Sequence, residues 1–173
     1  MIYTGGALLM SLKLRKVVKE DALLIYNWKM DSLVKEMALD FDYKTSVEAQ
    51  LEDITNTLAN EFADYNIITI NRKPIGYIRI DWMDHHKHTA WLRFALGEQR
   101  GLGYGKQALS LYVQQLFSKG CKRVEGEIYA INIVSQKVLE KVGFKQEGIK
   151  RKAHFTGLEF IDVLVYGLIE EDL

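Results

Sequence analysis

Gly97-Glu98-Gln99-Arg100-Gly101-Leu102-Gly103-Tyr104-Gly105-Lys106 is the stretch on which the reading of this sequence turns. It joins a strand-like run, Thr89 to Leu96, to an amphipathic run, Tyr104 to Ser118, and it places Gly101, Gly103 and Gly105 at alternate positions. Glycine lets the backbone take positive φ and come close to a ligand. The first-turn amides of the following helix have no intrahelical acceptors and carry the positive end of the helix dipole. Loop and helix amides together form a cradle for phosphate. Spacing excludes a nucleoside-triphosphate loop, G-x-x-x-x-G-K-[ST], which would need glycine at Arg100 and Ser or Thr at Gln107. Gly103-x-Gly105-x-x-Ala108 does match a dinucleotide fingerprint, with Glu125 or Glu127 downstream. Two things disfavour that reading: the loop follows what reads as an antiparallel meander, and too little chain remains for a second doubly wound half.

The same periodicity arguments extend outward. Leu12, Leu14 and Val17, interleaved with Lys13, Arg15 and Lys16, predict a strand, and Glu20 to Met30 a helix favoured at its start by Glu20 or Asp21. Ser46 is the expected N-cap of a second helix reaching about Glu61, after a loop from Asp40 to Thr45. Three strands follow, Tyr65 to Asn71, Ile75 to Met83 and Thr89 to Leu96, with short connections that make them an antiparallel meander. After the helix ending before Gly120 come a strand, Arg123 to Tyr129, a helix, Ile133 to Val142, stopped by Gly143, and two strands about Thr156-Gly157. The predicted order is βααβββαβαββ, an α+β layout around a mixed sheet.

The chain has 173 residues, 48% hydrophobic and 27% charged, and reads as one domain over residues 11–173. Residues 1–10 read as a disordered extension, with Met10 an equally good start. Twenty-three basic residues balance twenty-three acidic ones, which argues against a dedicated nucleic-acid binder. No apolar run approaches the roughly 18 to 20 residues that span a bilayer. The early cluster Ala7-Leu8-Leu9-Met10 is too short, and lacks the basic flank, for a secretory signal. Cys121 is the sole cysteine, so there is no internal disulfide, and a small buried hydrophobe is its expected role. These features place the protein in the cytoplasm, without a membrane partner.

Arg100-x-x-Gly103-x-Gly105 resembles the [RQ]-x-x-G-x-[GA] pyrophosphate motif of the GNAT superfamily of N-acetyltransferases. Further on, Asn132-x-x-Ser135-x-x-Val138-Leu139-Glu140-Lys141-Val142-Gly143-Phe144 looks like the family's second landmark, N-x-x-[AS] followed by [EK]-K-x-G-F. The tail, Glu147-Gly148, Arg151 and Gly157 to Tyr166, is similar to the closing hairpin of the ribosomal-protein alanine N-acetyltransferase branch. Tyr26-Asn27-Trp28-Lys29-Met30-Asp31 resembles the W-[RK]-x-D element of that branch and of pseudaminic-acid-type aminosugar N-acetyltransferases.

The resemblance implies a GNAT-like mixed sheet that splays between Thr89–Leu96 and Arg123–Tyr129, with acetyl-coenzyme A (acetyl-CoA) in the gap and no metal. It implies that the backbone amides of Arg100, Gly101, Leu102, Gly103, Tyr104, Gly105 and Lys106 take the pyrophosphate. The backbone of Phe94, Ala95 and Leu96 would hold the pantetheine and thioester, and Asn132 would contact the cofactor. A primary amine then attacks the thioester directly, because no nucleophile constellation suggests an acyl-enzyme. The family's usual tyrosine acid is replaced by Leu139. Ser135 becomes the candidate acid, Tyr129 the second, and the base is either Glu127, which otherwise reads as a solvated strand residue, or a water chain. Trp28 is a candidate wall of the acceptor site, with aromatic core filling the commoner use of such a residue, and Trp82 and Trp91 read as core or sheet-face residues.

Other features have plainer readings. Asp84-His85-His86-Lys87-His88 reads as an exposed polar turn rather than a metal cage. From Glu36 to Asp64 eight carboxylates accompany the single Lys44, which is either an acidic wall suited to a polyamine or basic peptide, or simply solvated helix faces. Edge strands in the closing hairpin suggest a homodimer. A protein N-terminus, an aminosugar nucleotide and a polyamine all stand as acceptors, and an acetyl-CoA-binding sensor or interaction module without activity is the alternative of another class.

Overall fold

The computed structural model describes residues 11–37 and 46–173. The expected extension at residues 1–10 and loop from Asp40 to Thr45 lie outside the described residues. Strand β1 (Leu12–Lys16) leads through a single 3-10 turn into α1 (Ala22–Met30), α2 (Ser32–Met37) and α3 (Val47–Ala59). Strands β2 (Ala63–Ile70), β3 (Lys73–Trp82) and β4 (Thr89–Leu96) follow, then α4 (Tyr104–Ser118), β5 (Arg123–Tyr129), α5 (Ile133–Val142), β6 (Lys145–Phe155) and β7 (Phe160–Ile169). The predicted α+β order holds with one correction: three helices rather than two precede β2. The cause is local. Asp31 leaves the helical region at ψ 130° and its carboxylate accepts the Val34 amide at 3.2 Å, which caps a new helix. Ser46 caps α3 as expected, its hydroxyl accepting the Ala49 amide at 3.2 Å.

The strands form one seven-stranded sheet in the order β1-β2-β3-β4-β5-β7-β6. Every neighbouring pair is antiparallel except β4 and β5, which run parallel. Those two pair only at Thr89 with Arg123, Ala90 with Val124 and Trp91 with Glu125. Beyond that point they diverge, and the sheet opens into a wedge bounded by Leu92 to Leu96 on one side and Gly126 to Tyr129 on the other.

Strand alternation gives the sheet two chemically different faces. Ile78, Ile80, Leu92 and Val124 pack under α4, where Ala108, Leu109, Tyr112, Val113 and Leu116 recur at helical spacing and are buried. The opposite face carries Tyr65, Ile67 and Tyr77 beneath α1 and α3, with Ile25, Trp28 and Ile54 from the helices. The wedge therefore connects the α4 side of the sheet to the α1 and α3 side. Among the described residues no helix is long and apolar enough to cross a membrane.

Candidate active site

The glycine-rich loop lies where β4 leaves the sheet. Gln99, Gly101 and Gly103 take left-handed φ values of 52°, 80° and 82°, so the handedness of the backbone alternates along the loop. Such alternation curls successive amides toward one concavity that suits an anion. A Cβ built on Gly101 or Gly103 would meet no atom within 4 Å, so these glycines border open space rather than packed protein. Gly103 is also the N-cap of α4 and no side chain caps that end, which leaves the first-turn amides available. The loop thus fits a pyrophosphate through its backbone. Its side chains have other duties: Tyr104 is buried in the α4 core, while Leu102 and Lys106 are exposed.

Arg100, expected through its amide, also has a side-chain role. Its Nε donates to the Leu96 carbonyl at 2.8 Å, and its Nη2 donates to the Gly97 carbonyl at 3.0 Å and to Asp31 at 3.1 Å. The guanidinium therefore fixes the exit of β4 and ties the loop to the α1–α2 junction. The Val34 amide that Asp31 accepts, and then the charge of Arg100, hold the Asp31 carboxyl below its ordinary range.

Of the two readings for Trp28, the structure takes core filling over the acceptor wall. The residue is 5% exposed and lies against Gly97, where a Cβ would come within 2.0 Å of its ring, and it does not line the cavity in the wedge. It braces the beginning of the glycine-rich loop. Its neighbour Lys29 does line the cavity, together with Met37, Asp53, Tyr65, Tyr77, Arg79, Trp91 and Arg93 on the α1 and α3 side. Trp82 packs at the margin of the α4 core, so the two strand tryptophans divide between core and cavity.

The same cavity brings together Leu92, Phe94, Gly126, Glu127, Ile128, Asn132, Ser135 and Leu139. Phe94 and Leu96 turn toward the α4 core and Ala95 toward the other face, and their β5-facing edge has no strand partner because of the splay. Asn132 caps α5, its Oδ1 accepting the Ser135 amide at 3.1 Å, while its Nδ2 donates to the Met37 carbonyl at 3.0 Å. Asn132 thereby ties α5 to α2 across the mouth of the wedge. Ser135 is half-buried, and its hydroxyl has no hydrogen-bond partner among the described residues. Glu127 pairs with Lys150.

Tyr129, the second acid candidate, is not brought to the cavity. Its ring lies in a small cluster with Ile161 and Val163, and its hydroxyl meets His154 Nδ1 at 3.2 Å. Leu139, at 2% exposure, is core. Of the carboxylates between Glu36 and Asp64, Asp40 and Asp42 lie outside the described residues; Glu48 and Glu52 are exposed, Glu61 pairs with Lys87, Asp64 with Lys16, and Asp53, at the cavity, with Arg79. Asp84 organises the histidine turn by accepting the amides of His86, His88 and Thr89. Among the described residues no group of three or more metal-ligating side chains converges. Cys121 is 1% exposed and burial pushes its thiol up, which makes it a poor nucleophile.

A wedge between two parallel strands, an amide cradle at the end of the first and a capped helix after the second are the parts implied by the sequence motifs. Residues 11–145 match the family model described as an acetyltransferase (GNAT) domain. The chain belongs to the GNAT acetyltransferase family. It is 25% identical over 167 residues to the SPbeta prophage-derived uncharacterized N-acetyltransferase YokL of Bacillus subtilis (strain 168), covering 94% of this chain and 92% of that one. It is likewise 25% identical over 169 residues to the uncharacterized N-acetyltransferase p20 of Bacillus licheniformis, with 93% and 94% covered. Among solved structures, spermidine N-acetyltransferase from Vibrio cholerae in complex with CoA and spermine superposes with a TM-score of 0.85 at 15% identity, covering 93% and 96%. RimL, a ribosomal L7/L12 alpha-N-protein acetyltransferase in complex with coenzyme A, superposes at 0.82 and 19% identity, covering 92% and 94%. At these identities the structural likeness speaks for the GNAT fold. As a member of the family, this GNAT chain is an acetyl-CoA-dependent N-acetyltransferase.

Sequence reasoning left Lys29, Met37, Asp53, Arg79 and Arg93 out of the site. Met37, Asp53, Arg79 and Arg93 reach it through strand register and helix packing, which no local motif records. The W-[RK]-x-D element did hold a signal, since Lys29 follows Trp28 in it and Asp31 is the partner of Arg100.

Proposed function

We propose that this N-acetyltransferase modifies the primary amine of a protein N-terminus, with aminosugar nucleotides and polyamines ranked behind. The observation that carries the reading is that Ser135 and Glu127 line one cavity with Leu92 to Phe94, on the stretch of β4 that has left its pairing with β5. In this reading the loop amides from Arg100 to Gly105 hold the pyrophosphate, and the backbone of Phe94 to Leu96 holds the pantetheine arm. The acceptor enters from the α1 and α3 side and its nitrogen attacks the thioester carbonyl carbon. Glu127, directly or through water, receives the proton lost by the amine. The Ser135 hydroxyl, free of other partners among the described residues, gives a proton to the departing thiolate and recovers one from solvent.

Preference for a protein N-terminus is supported by the closing hairpin's resemblance to the ribosomal-protein branch. Among the described residues the carboxylates at the cavity, Asp53 and Glu127, are paired with Arg79 and Lys150, which supports placing polyamines lower. Leu139, buried where many family members carry a tyrosine acid, favours a second reading, an acetyl-CoA sensor without turnover. The working location is the cytoplasm, and the long exposed edge strand β6 suits a homodimer. Mass spectrometry after incubation with acetyl-CoA and a library of N-terminal peptides, aminosugar nucleotides and spermidine tests the ranking. Acetylated peptides support it, and turnover confined to spermidine overturns it.

A further inference from the structure

Helix α2 has too little burial to hold itself in place. It spans six residues, Ser32–Met37, of which Val34 alone is buried. A helix of that length is not stable by itself in water. Its position is therefore set by what grips its ends. At the start, Asp31 serves both helices. Its backbone amide closes α1 by donating to the Asn27 and Trp28 carbonyls at 3.1 and 3.3 Å. Its Oδ1 caps α2 by accepting the Val34 amide at 3.2 Å, and the same oxygen accepts Nη2 of Arg100 at 3.1 Å. At the far end, the Met37 carbonyl accepts Nδ2 of Asn132 at 3.0 Å.

Both grips come from residues that the family resemblance places on the cofactor, Arg100 in the amide cradle and Asn132 at the cap of α5. Met37, the last residue of α2, lines the acceptor side of the cavity. Arg100 is itself fastened to the exit of β4 through the Leu96 and Gly97 carbonyls, at 2.8 and 3.0 Å, so its guanidinium moves with the loop. The ring of Trp28, one turn before Asp31, packs against Gly97 and follows the same segment. The loop backbone, by contrast, has left-handed Gln99, Gly101 and Gly103, and both glycines border open space, so a bound pyrophosphate is what would immobilise it. Asp31 and Arg100 are 43% and 33% exposed, and an exposed ion pair adds little to the stability of a fold. Its effect falls instead on where a thinly buried helix sits.

We propose that Asp31 is a positioning residue that couples the cofactor loop to the acceptor wall: pyrophosphate held by the loop steadies Arg100, Arg100 holds Asp31, and α2 then presents Met37 to the cavity in one place. This rests on the reading that puts the pyrophosphate in the glycine-rich loop. An element already ordered by one ligand costs the next ligand less to engage. Acetyl-CoA and the acceptor therefore favour each other's binding, and the coupling is reciprocal.

Residue-resolved amide hydrogen exchange by NMR, with and without saturating coenzyme A, tests this with a probe that needs no acceptor. Coenzyme A is expected to slow exchange at the Val34 and Lys35 amides by about threefold or more, the size an exposed ion pair supports, beside slowing in the loop and the first turn of α4. Two variants cut the tie from opposite sides. Asp31→Ser keeps a capping hydroxyl for α2 but is too short to reach Arg100. Arg100→Gln leaves that cap untouched and stays within the [RQ]-x-x-G-x-[GA] motif, but has no guanidinium to offer Asp31. At saturating coenzyme A, slowing at Val34 and Lys35 should fall below about 1.5-fold in each variant while slowing at the first turn of α4 remains. A change in basal protection alone, as from a weakened cap, does not produce that loss of response. Wild-type protein that slows at the loop and α4 but not at α2 overturns the coupling and leaves the cofactor site standing. Slowing of wild-type size at α2 in either variant also overturns it. No slowing at the loop or α4 removes the cofactor reading, and the coupling falls with it.

Discussion

Gly103→Val separates the ligand role of the glycine-rich loop from its role in the fold. Gly103 sits at φ 82°, and a Cβ there would meet nothing within 4 Å. The protein-side penalty is therefore conformational rather than steric. An L-residue held in the left-handed region costs about 1–2 kcal/mol, with a β-branched side chain toward the upper end. For a domain of this size each kcal/mol lowers Tm by roughly 2–4 °C, which gives an expected drop of about 2–8 °C with cooperative unfolding retained. The ligand-side penalty is larger. The isopropyl group enters the space that the loop amides face, and each charge-assisted hydrogen bond lost to a phosphate is worth about 1.5–3 kcal/mol. Losing one or two weakens acetyl-CoA binding by roughly tenfold to ten-thousandfold. Calorimetric titration of acetyl-CoA into wild type and variant, beside melting curves, reads both quantities. A folded variant with wild-type affinity would remove the loop from the cofactor site and refute the reasoning.

Other consequences follow from particular contacts. Ser135→Ala should reduce kcat by about a hundredfold while acetyl-CoA affinity stays within a few-fold, because a proton donor acts on turnover; equal steady-state rates would reject the assignment. Gly97→Ala drives a methyl group against the Trp28 ring and should cost about 1–3 kcal/mol, read by urea unfolding, whereas an unchanged midpoint would show that the ring yields freely. At Asp21 the pull of burial on the carboxyl is upward, but the bidentate hydrogen bonds and charge of Arg15 and the Val18 amide outweigh it, so its folded pKa is depressed. Its stabilising contribution is then complete above the unfolded value of about 3.9 and lost as pH falls through the lower folded value. Asp21→Asn should flatten the acid limb of a Tm-against-pH curve, and parallel limbs would contradict that linkage.

The parts of the site legible in the sequence are those written in short-range signals. Alternating glycines and the strand and helix periodicities around them placed the amide cradle, and the resemblance of the two motifs to the GNAT family implied the splay between β4 and β5. The parts that were not legible depend on distant surfaces meeting. Arg79 and Arg93 face each other only because of the β3–β4 register, and Asp53 joins them from α3. Trp28 was a candidate acceptor wall through the W-[RK]-x-D resemblance, yet the space left by the missing Cβ of Gly97 takes its ring against the start of the loop instead. Tyr129 and Glu127 share a strand face, but His154 on β6 takes the tyrosine and Lys150 the carboxylate. The division of the first helical stretch at Asp31 came from one side chain capping its own successor helix.

The central claim is that this molecule transfers acetyl groups from acetyl-CoA to an amine through the wedge between β4 and β5. Acceptor-dependent thiol release, measured with a pooled panel of N-terminal peptides, aminosugar nucleotides and polyamines and with Gly103→Val as the control, tests it most directly. Release by the wild type well above the control is the predicted result. Protein that binds acetyl-CoA in the same buffer yet releases no thiol with any member of the panel would contradict it.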